Sequence, residues 1–466
     1  FRSRSDTLYL LSFSEDSIRI NSNYWRLNGG DSIRISDLAS GNYSIAVEKG
    51  REMIRLSGQE KRFSAEIRHF KLSNLGNMLN TPSGDTLLKG LVNGEVVLAK
   101  ENNFDSINAQ LTIRKMKIME NPFGDLDIAM NRSKQPYMTG NLVVSKENDL
   151  RLEINRFPFD SSAMIDAVLQ INKFQLQSIT GFMPNESDSL FGWISGEISI
   201  ENSIDKPKVN GEINFNNVQT GLKSYGTFFN IDDEKIKLTD NQVVFPGFTI
   251  HDRHDGTLTI NGKINSDNFN RFRLDIQIDA SSFTAIDKKE EPGGLYYVRL
   301  VFSTNTKVKG PMNSIDVNSS FTIKDGTDFV LNQIQSSPTS SSYQGIVEFV
   351  DKDQSLNPIL YDTAAQQVKF DQQNFNISAN VVIEENASLS MIVDERAGDR
   401  LWVQGSANLT FTLDDTGLPS ISGRYNLNDG GYNITLFDIT QREFDLLDGS
   451  FIVWTGEPME ADRKSV

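Results

Sequence analysis

Apolar and polar residues alternate singly along most of this chain. Over residues 271–279, Phe272, Leu274, Ile276 and Ile278 are interleaved with Arg271, Arg273, Asp275, Gln277 and Asp279. Residues 401–413 repeat the pattern with Leu401, Val403, Gly405, Ala407, Leu409, Phe411 and Leu413, and residues 375–383 do so with Phe375, Ile377, Ala379, Val381 and Ile383. Successive side chains of a strand point to opposite faces, so each run predicts a half-buried strand with one apolar face. Long helical periodicity is absent. Short helical turns are predicted only over 75–79 and 178–183. At about eleven residues per strand and turn, the chain would hold roughly 40 strands, and at ~4.8 Å per neighbour a single sheet would reach at most about 190 Å.

The strands recur. Ile67, Phe70, Leu72 and Leu75 are matched by Ile171, Phe174, Leu176 and Ile179, each 104 residues later. Gly94-Glu95-Val96 then matches Gly196-Glu197-Ile198 at a step of 102. Related strands begin at Ile107, Val209, Ile315 and Ile421, so the steps are 102, 106 and 106. A fixed period of this kind marks repeated supersecondary units rather than separate cores. It divides the chain into an N-terminal β segment (1–64), three repeats (65–168, 169–286, 295–350), a loop or insertion (351–374) and a C-terminal β domain (375–466). Only 287–294 and 352–373 read as interruptions. Gly94, Gly196, Gly211, Gly262, Gly405 and Gly423 fall on the apolar side of their strands. Glycine there fits either a sharp bend of the sheet or the close approach of a ligand chain.

These features predict an all-β fold, an elongated and repetitive antiparallel sheet folded into a trough with an apolar interior. The predicted lining begins with Ile198, Ile200, Ile213 and Phe215, then Leu258 and Ile260. It continues through Phe272, Leu274, Ile276 and Ile278, and Phe375, Ile377 and Val381. Leu389, Met391, Val403, Leu409 and Phe411 complete it. A lipid chain of about sixteen carbons entering such a trough gains on the order of 10 kcal/mol, at about 0.8 kcal/mol per methylene. The competing reading is a dry core closed by the protein's own side chains. A row of sandwiches and a transmembrane barrel also use amphipathic strands. Sandwiches should show linkers, and a mean hydropathy of −0.37 without aromatic girdles counts against the barrel.

Charge and composition narrow the chemistry. Among 466 residues, Asp and Glu (62) outnumber Lys and Arg (46), which disfavours a nucleic-acid surface. Cysteine is absent, so no disulfide framework or thiolate metal site is available. No apolar run approaches the ~20 residues of a membrane helix. The chain opens at Phe1 without a methionine or a signal peptide, and reads as a fragment or processed form. His251 and His254 flank a polar turn and do not make a metal site alone. Carboxylate pairs such as Asp232-Asp233, Glu384-Glu385 and Asp414-Asp415 read as solvated turns rather than a glycosidase pair. Phosphate loops and nucleophile elbows are missing. No catalytic residue, metal ligand or cofactor site is expected, and a carbohydrate-active β-helix enzyme is the most distant alternative.

The C-terminal stretch 420–461 is the most distinctive. It carries Gly423, Tyr425, Leu427, an Asn428-Asp-Gly-Gly431 hairpin signal, Tyr432, a Phe444-to-Gly449 turn, and Ile452-Val-Trp-Thr-Gly456 with Pro458. With Ile392-Val-Asp-Glu-Arg396 and Val347-Glu-Phe-Val-Asp351 upstream, it resembles the C-terminal domain of TamB-like proteins in the AsmA-like superfamily, in their Bacteroidota form. The specific likeness covers 346–461. The resemblance implies a periplasm-spanning bridge, anchored in the inner membrane upstream of this segment and meeting the outer membrane at its C-terminus. It implies phospholipid as the transported ligand, and as partner an Omp85-type outer-membrane barrel of the TamA kind or its lipoprotein relative. The alternative within the family is a scaffold for outer-membrane protein insertion without lipid transport. Tyr425, Tyr432, Phe444, Phe451, Val453 and Trp454 are the partner-facing candidates on this basis. The family extends its last strand beyond the Gly-x-Pro turn with apolar residues, whereas here Ala461 is followed by Asp-Arg-Lys-Ser-Val466.

Overall fold

The computed structural model describes residues 2–3, 9–11, 17–20, 23–27, 33–34, 43–59, 61–79, 87–101, 104–133, 137–158, 164–182, 187–267, 271–289, 296–332, 374–394, 398–414, 417–436, 440–447, 449–458 and 460–464. These form 31 strands and three short 3-10 helices. The strands run to 18 residues, as in Arg271–Lys288 and Pro419–Leu436, which is why they are fewer than the sequence estimate. Two of the helices, Leu72–Leu79 and Leu176–Phe182, fall where helical turns are predicted.

The chain divides into two compact units. Unit 1 comprises residues 1–223, 229–248 and 266–270, and unit 2 comprises 224–228, 249–265 and 271–466. Each is a long, largely antiparallel sheet in trough form, in which successive strands are sheet neighbours.

In unit 1 the register aligns apolar residues into continuous rungs. One rung passes from Val47 through Ile54, Ile67, Gly94, Leu111 and Ile128 to Leu142. It then continues through Leu152, Leu169, Ile198, Gly211 and Leu238 to Val243. The opposite face is charged, as in Arg55 against Glu66 and Glu66 against Glu95. A one-residue slip would put this whole apolar set into water, so the alternation itself fixes the register.

The 104-residue match of Ile67 and Phe70 to Ile171 and Phe174 has a counterpart in the sheet. Register shifts fall between Ile67 and Phe70 and between Ile171 and Phe174, opposite Gly94/Val92 and Gly196/Ile194. An extra residue bends its strand and increases the local twist, so both copies turn the sheet at the same place. Gly94 and Gly196 adopt φ of +145° and +151° there. A Cβ on either would collide with the carbonyl oxygen of Gln110 or Glu212 on the next strand. What comes close to these glycines is the backbone of the next strand at a bend of the sheet, the first of their two readings. A 3-10 helix follows each bulge.

Unit 2 departs from a purely antiparallel sheet. Asn374–Ile383 lies parallel to Ser314–Ile323, and Ser388–Asp394 lies parallel to Asp328–Asn332. Residues 314–332 and residues 374–394 each form one strand broken at a corner, and the two corners stack. Glu384 accepts from Lys324, and the Asn386 backbone N–H donates to Asp325 at 3.1 Å. Parallel neighbours need a long crossover connection, and residues 333–373 lie between them. The predicted interruption at 352–373 is outside the described residues, and Arg271–Lys288 continues through Asp287.

The Asn428–Gly431 signal makes no hairpin. Pro419–Leu436 runs straight through it, and Gln404/Gly405 on the neighbouring strand pair with Asp429/Leu427. Asn428 is therefore the extra residue of a bulge. The turn after Phe444 does bend the chain, from Thr440–Asp445 to Phe451–Gly456. The polar residues after Ala461 form a strand, Ala461–Lys464, paired antiparallel with Phe451–Gly456.

Candidate functional site

The apolar faces of both units are only partly covered. Along the unit 1 rung, Leu111, Ile128, Leu142, Leu152, Leu169 and Ile198 are all half-buried. A second packed layer would remove such residues from water almost completely. Dry packing among the described residues is concentrated in two small clusters. One joins Trp25, Leu27, Val47, Phe70, Leu72 and Val92. The other joins Ala407, Tyr425 and Leu427.

The residues expected to line a trough lie on these faces. Ile198, Ile200 and Ile213 stand opposite Leu169, Ala167 and Gly196, and Phe215 meets Phe248 edge-on at 5.2 Å. In unit 2, Leu258 and Ile260 share a strand and a parity with Gly262, whose backbone abuts Ile276. Leu274, Ile276 and Ile278 are half-buried, while Phe272 is 38% exposed. Ile377 faces Val317 and Leu413, and Val381 faces Phe321 and Leu409. Phe411 faces Ala379. Phe375 pairs with Ile315 in the parallel ladder. Beyond the corner, Leu389 pairs with Val403, and Met391 with Leu401.

That part of the wall is the most open. One rung runs Tyr296, Leu331, Met391, Leu401, Tyr432, Phe444 across six strands. Tyr296, Leu331 and Leu401 are about 40% exposed, and Phe444 is 54% exposed. The next rung places Phe329 beside Leu389, again open.

The six partner-facing candidates do not form one patch. Tyr425 is buried in the second dry cluster, and burial pushes its phenol pKa up. Trp454 packs on the same cluster and donates its indole N–H to the Pro458 carbonyl at 3.1 Å. Phe451 and Val453 lie on the other face, where the Arg424 guanidinium covers Phe451 at 3.7 Å from the ring centre. Tyr432 and Phe444 are a directly opposed cross-strand pair. Of the six, Phe444 alone is broadly exposed.

Buried polar groups brace the sheet rather than face a cleft. Glu52 accepts from the Lys71 N–H at 2.9 Å and from the Asn74 amide. Asn148 accepts from the Gln175 N–H at 2.7 Å and donates to Ser178 at 2.9 Å. Asp252 takes the Thr284 N–H together with those of His254 and Gly256, both at 2.7 Å. Burial opposes ionisation of Asp252, but these donors outweigh it and hold its pKa below the usual carboxylate value. His254 is absorbed here too, with its ring 3.5 Å from Asp287. Sequence reasoning missed these braces, although the matched spacing of Lys71/Asn74 and Gln175/Ser178 carried a signal for them. No helix among the described residues is long and apolar enough to cross a membrane.

A family model described as the TamB C-terminal domain matches residues 247–462. The match extends some way upstream of the stretch whose motifs carry the resemblance. No curated protein and no solved structure matches the chain.

Proposed function

On the premise that this chain is a TamB-like protein, with residues 247–462 as its TamB C-terminal domain, we propose that it serves outer-membrane assembly by conducting phospholipid along its apolar face across the periplasm. The observation that carries this reading is the rung from Val47 to Val243, continuous through the strands of unit 1 and left half-covered along most of its length. Such a face holds acyl chains without specific polar contacts, at about 0.8 kcal/mol per buried methylene. Adjacent positions along it differ little in polarity, so a chain moves from one to the next against low barriers. In this reading an inner-membrane anchor lies upstream of the segment, and an Omp85-type barrel receives the C-terminal domain.

Photo-crosslinking residues at Ile276 and Val403 test the proposal in cells. Both lie on the apolar face, whereas Gln277 lies on the polar one. Phospholipid adducts at Ile276 and Val403 are the expected result. Adducts confined to Gln277 would overturn it.

A second reading, a scaffold for barrel assembly without lipid movement, is favoured by the exposed Phe444, which stands opposite half-buried Tyr432. It predicts that aspartate at Ile198 leaves outer-membrane assembly intact, while removal of the Phe444 ring abolishes it. The lipid reading predicts loss of function from Ile198→Asp.

A further inference from the structure

Within unit 2, three hydroxyls interrupt the apolar face. Over residues 272–280, 302–310, 315–323, 375–383, 401–413 and 419–427, those that share a side with Ile276 and Leu409 are aliphatic, aromatic, proline, alanine or glycine, except Thr304, Thr306 and Ser319; further along that side Lys288 stands opposite Val298, and Asp399 precedes Leu401. Thr306 sits between Ile278 and Ser319, and Thr304 between Ala280 and Phe321. All three are half-buried and open to the groove.

The hydroxyls converge. Thr306 and Ser319 oxygens are 2.7 Å apart, Thr304 and Thr306 2.8 Å, and Thr304 and Ser319 3.2 Å. Thr304 also donates to the Ser320 carbonyl at 3.0 Å. A hydroxyl has one proton and two lone pairs. With the Thr304 proton on the carbonyl, the other two protons can both be satisfied inside the triangle, where either oxygen of each pair can donate. In that arrangement lone pairs face the groove. Valine and alanine would also fit a strand and an apolar face; what the hydroxyls add is hydrogen bonding across the two strands and polarity on the groove side.

We propose that Thr304, Thr306 and Ser319 form a polar foothold in the groove for a lipid head group that donates hydrogen bonds, a primary ammonium or a hydroxyl. This rests on the lipid reading above and adds to it a position and a head-group class. A quaternary ammonium has no N–H and gains nothing from spare lone pairs, and an ester carbonyl or phosphate oxygen gains a proton here only at the expense of a contact inside the triangle. Phe302 and Phe321, stacked at 4.9 Å, lie next to the triad and leave the acyl chains an apolar surface.

The test uses the full chain with a photo-crosslinker at Ile278, which faces Thr306, and a second form with it at Ile198 in unit 1. Each is incubated with vesicles of equal phosphatidylethanolamine and phosphatidylcholine bearing the same acyl chains, and adducts are counted by mass spectrometry. At Ile278 the ethanolamine lipid should exceed the choline lipid about fivefold. In the variant carrying Thr304→Val, Thr306→Val and Ser319→Ala the ratio should fall to that of the vesicle, with capture at Ile198 unchanged. An equal ratio in the unaltered protein, or a bias that survives the triple substitution, overturns the foothold while adducts at Ile198 keep the lipid reading. Absence of adducts at both sites overturns both.

Discussion

Glu52 and Asn148 perform one task at the two matched bends of the sheet. Each points a buried side-chain oxygen at the backbone N–H of the residue that follows the phenylalanine closing a bulge, Lys71 after Phe70 and Gln175 after Phe174. The bulge breaks the ladder and leaves that N–H without a strand partner, and the side chain supplies the missing acceptor. Asp252 does the same for Thr284 after Phe283. Asn148→Ala should therefore speed hydrogen exchange of the Gln175 amide and cost about 1–3 kcal/mol locally. Exchange measured by mass spectrometry on peptides covering 164–182 checks this, and Glu52→Ala should act likewise on 62–79.

Asp252 makes one brace dependent on pH. Its folded pKa lies below the usual carboxylate value, so the unfolded state binds its proton first as pH falls. The stabilisation is complete at neutral pH, above the unfolded pKa, and is lost as pH drops through the folded value. Thermal unfolding of unit 2 followed from pH 7 into the acid range should show this loss. Asp252→Asn should lower stability at pH 7 and flatten the acid limb.

Gly196→Ala should be more damaging than a typical surface substitution. The added carbon meets the Glu212 carbonyl oxygen, and φ of +151° is unfavourable for an L side chain. A loss of about 2 kcal/mol or more, or accumulation in an insoluble form, is expected. Gly50, in a turn with open space around it, is the control and should cost less.

Tyr425 and Phe444 should separate cleanly. Tyr425→Ala removes a ring from the dry cluster and should destabilise the C-terminal domain by about 3–5 kcal/mol, as large core truncations do. Phe444→Ala removes a ring that is 54% exposed and should leave the melting temperature within a degree or two. Melting curves of both variants, read beside their outer-membrane phenotype, distinguish a folding residue from a contact residue.

Features of the fold that depend on near neighbours were legible in the sequence. The alternation of Phe272, Leu274, Ile276 and Ile278 declares its strand, and the match of Ile67/Phe70 to Ile171/Phe174 declares two copies of one bend. Features set by distant partners were not. Asn428-Asp-Gly-Gly431 has the composition of a hairpin, but glycine serves a bulge at a bend equally well, and the straight neighbour Asp399–Leu413 decides between them. The parallel pairing of Asn374–Ile383 with Ser314–Ile323 leaves no local trace. Tyr425 carries the alternation of an inward residue, and the family likeness drew it toward a contact role that its burial does not favour. The hydroxyl triad is invisible in one dimension, because Thr304 and Thr306 meet Ser319 only through the register of two strands.

The parallel pair also bears on how the sheet is built in time. An antiparallel strand docks on the strand just before it, so growth from the N-terminus can keep pace with a chain that emerges end first. That progression stops at Asn332. Asn374–Ile383 settles on Ser314–Ile323 across a separation of 60 residues, as the Asn376–Asp316 contact shows. Closing so long a loop before any contact rewards it is slow. Until it closes, Ser314–Ile323 is an open edge with an apolar face, and this is the point in biogenesis where the nascent protein most needs a chaperone.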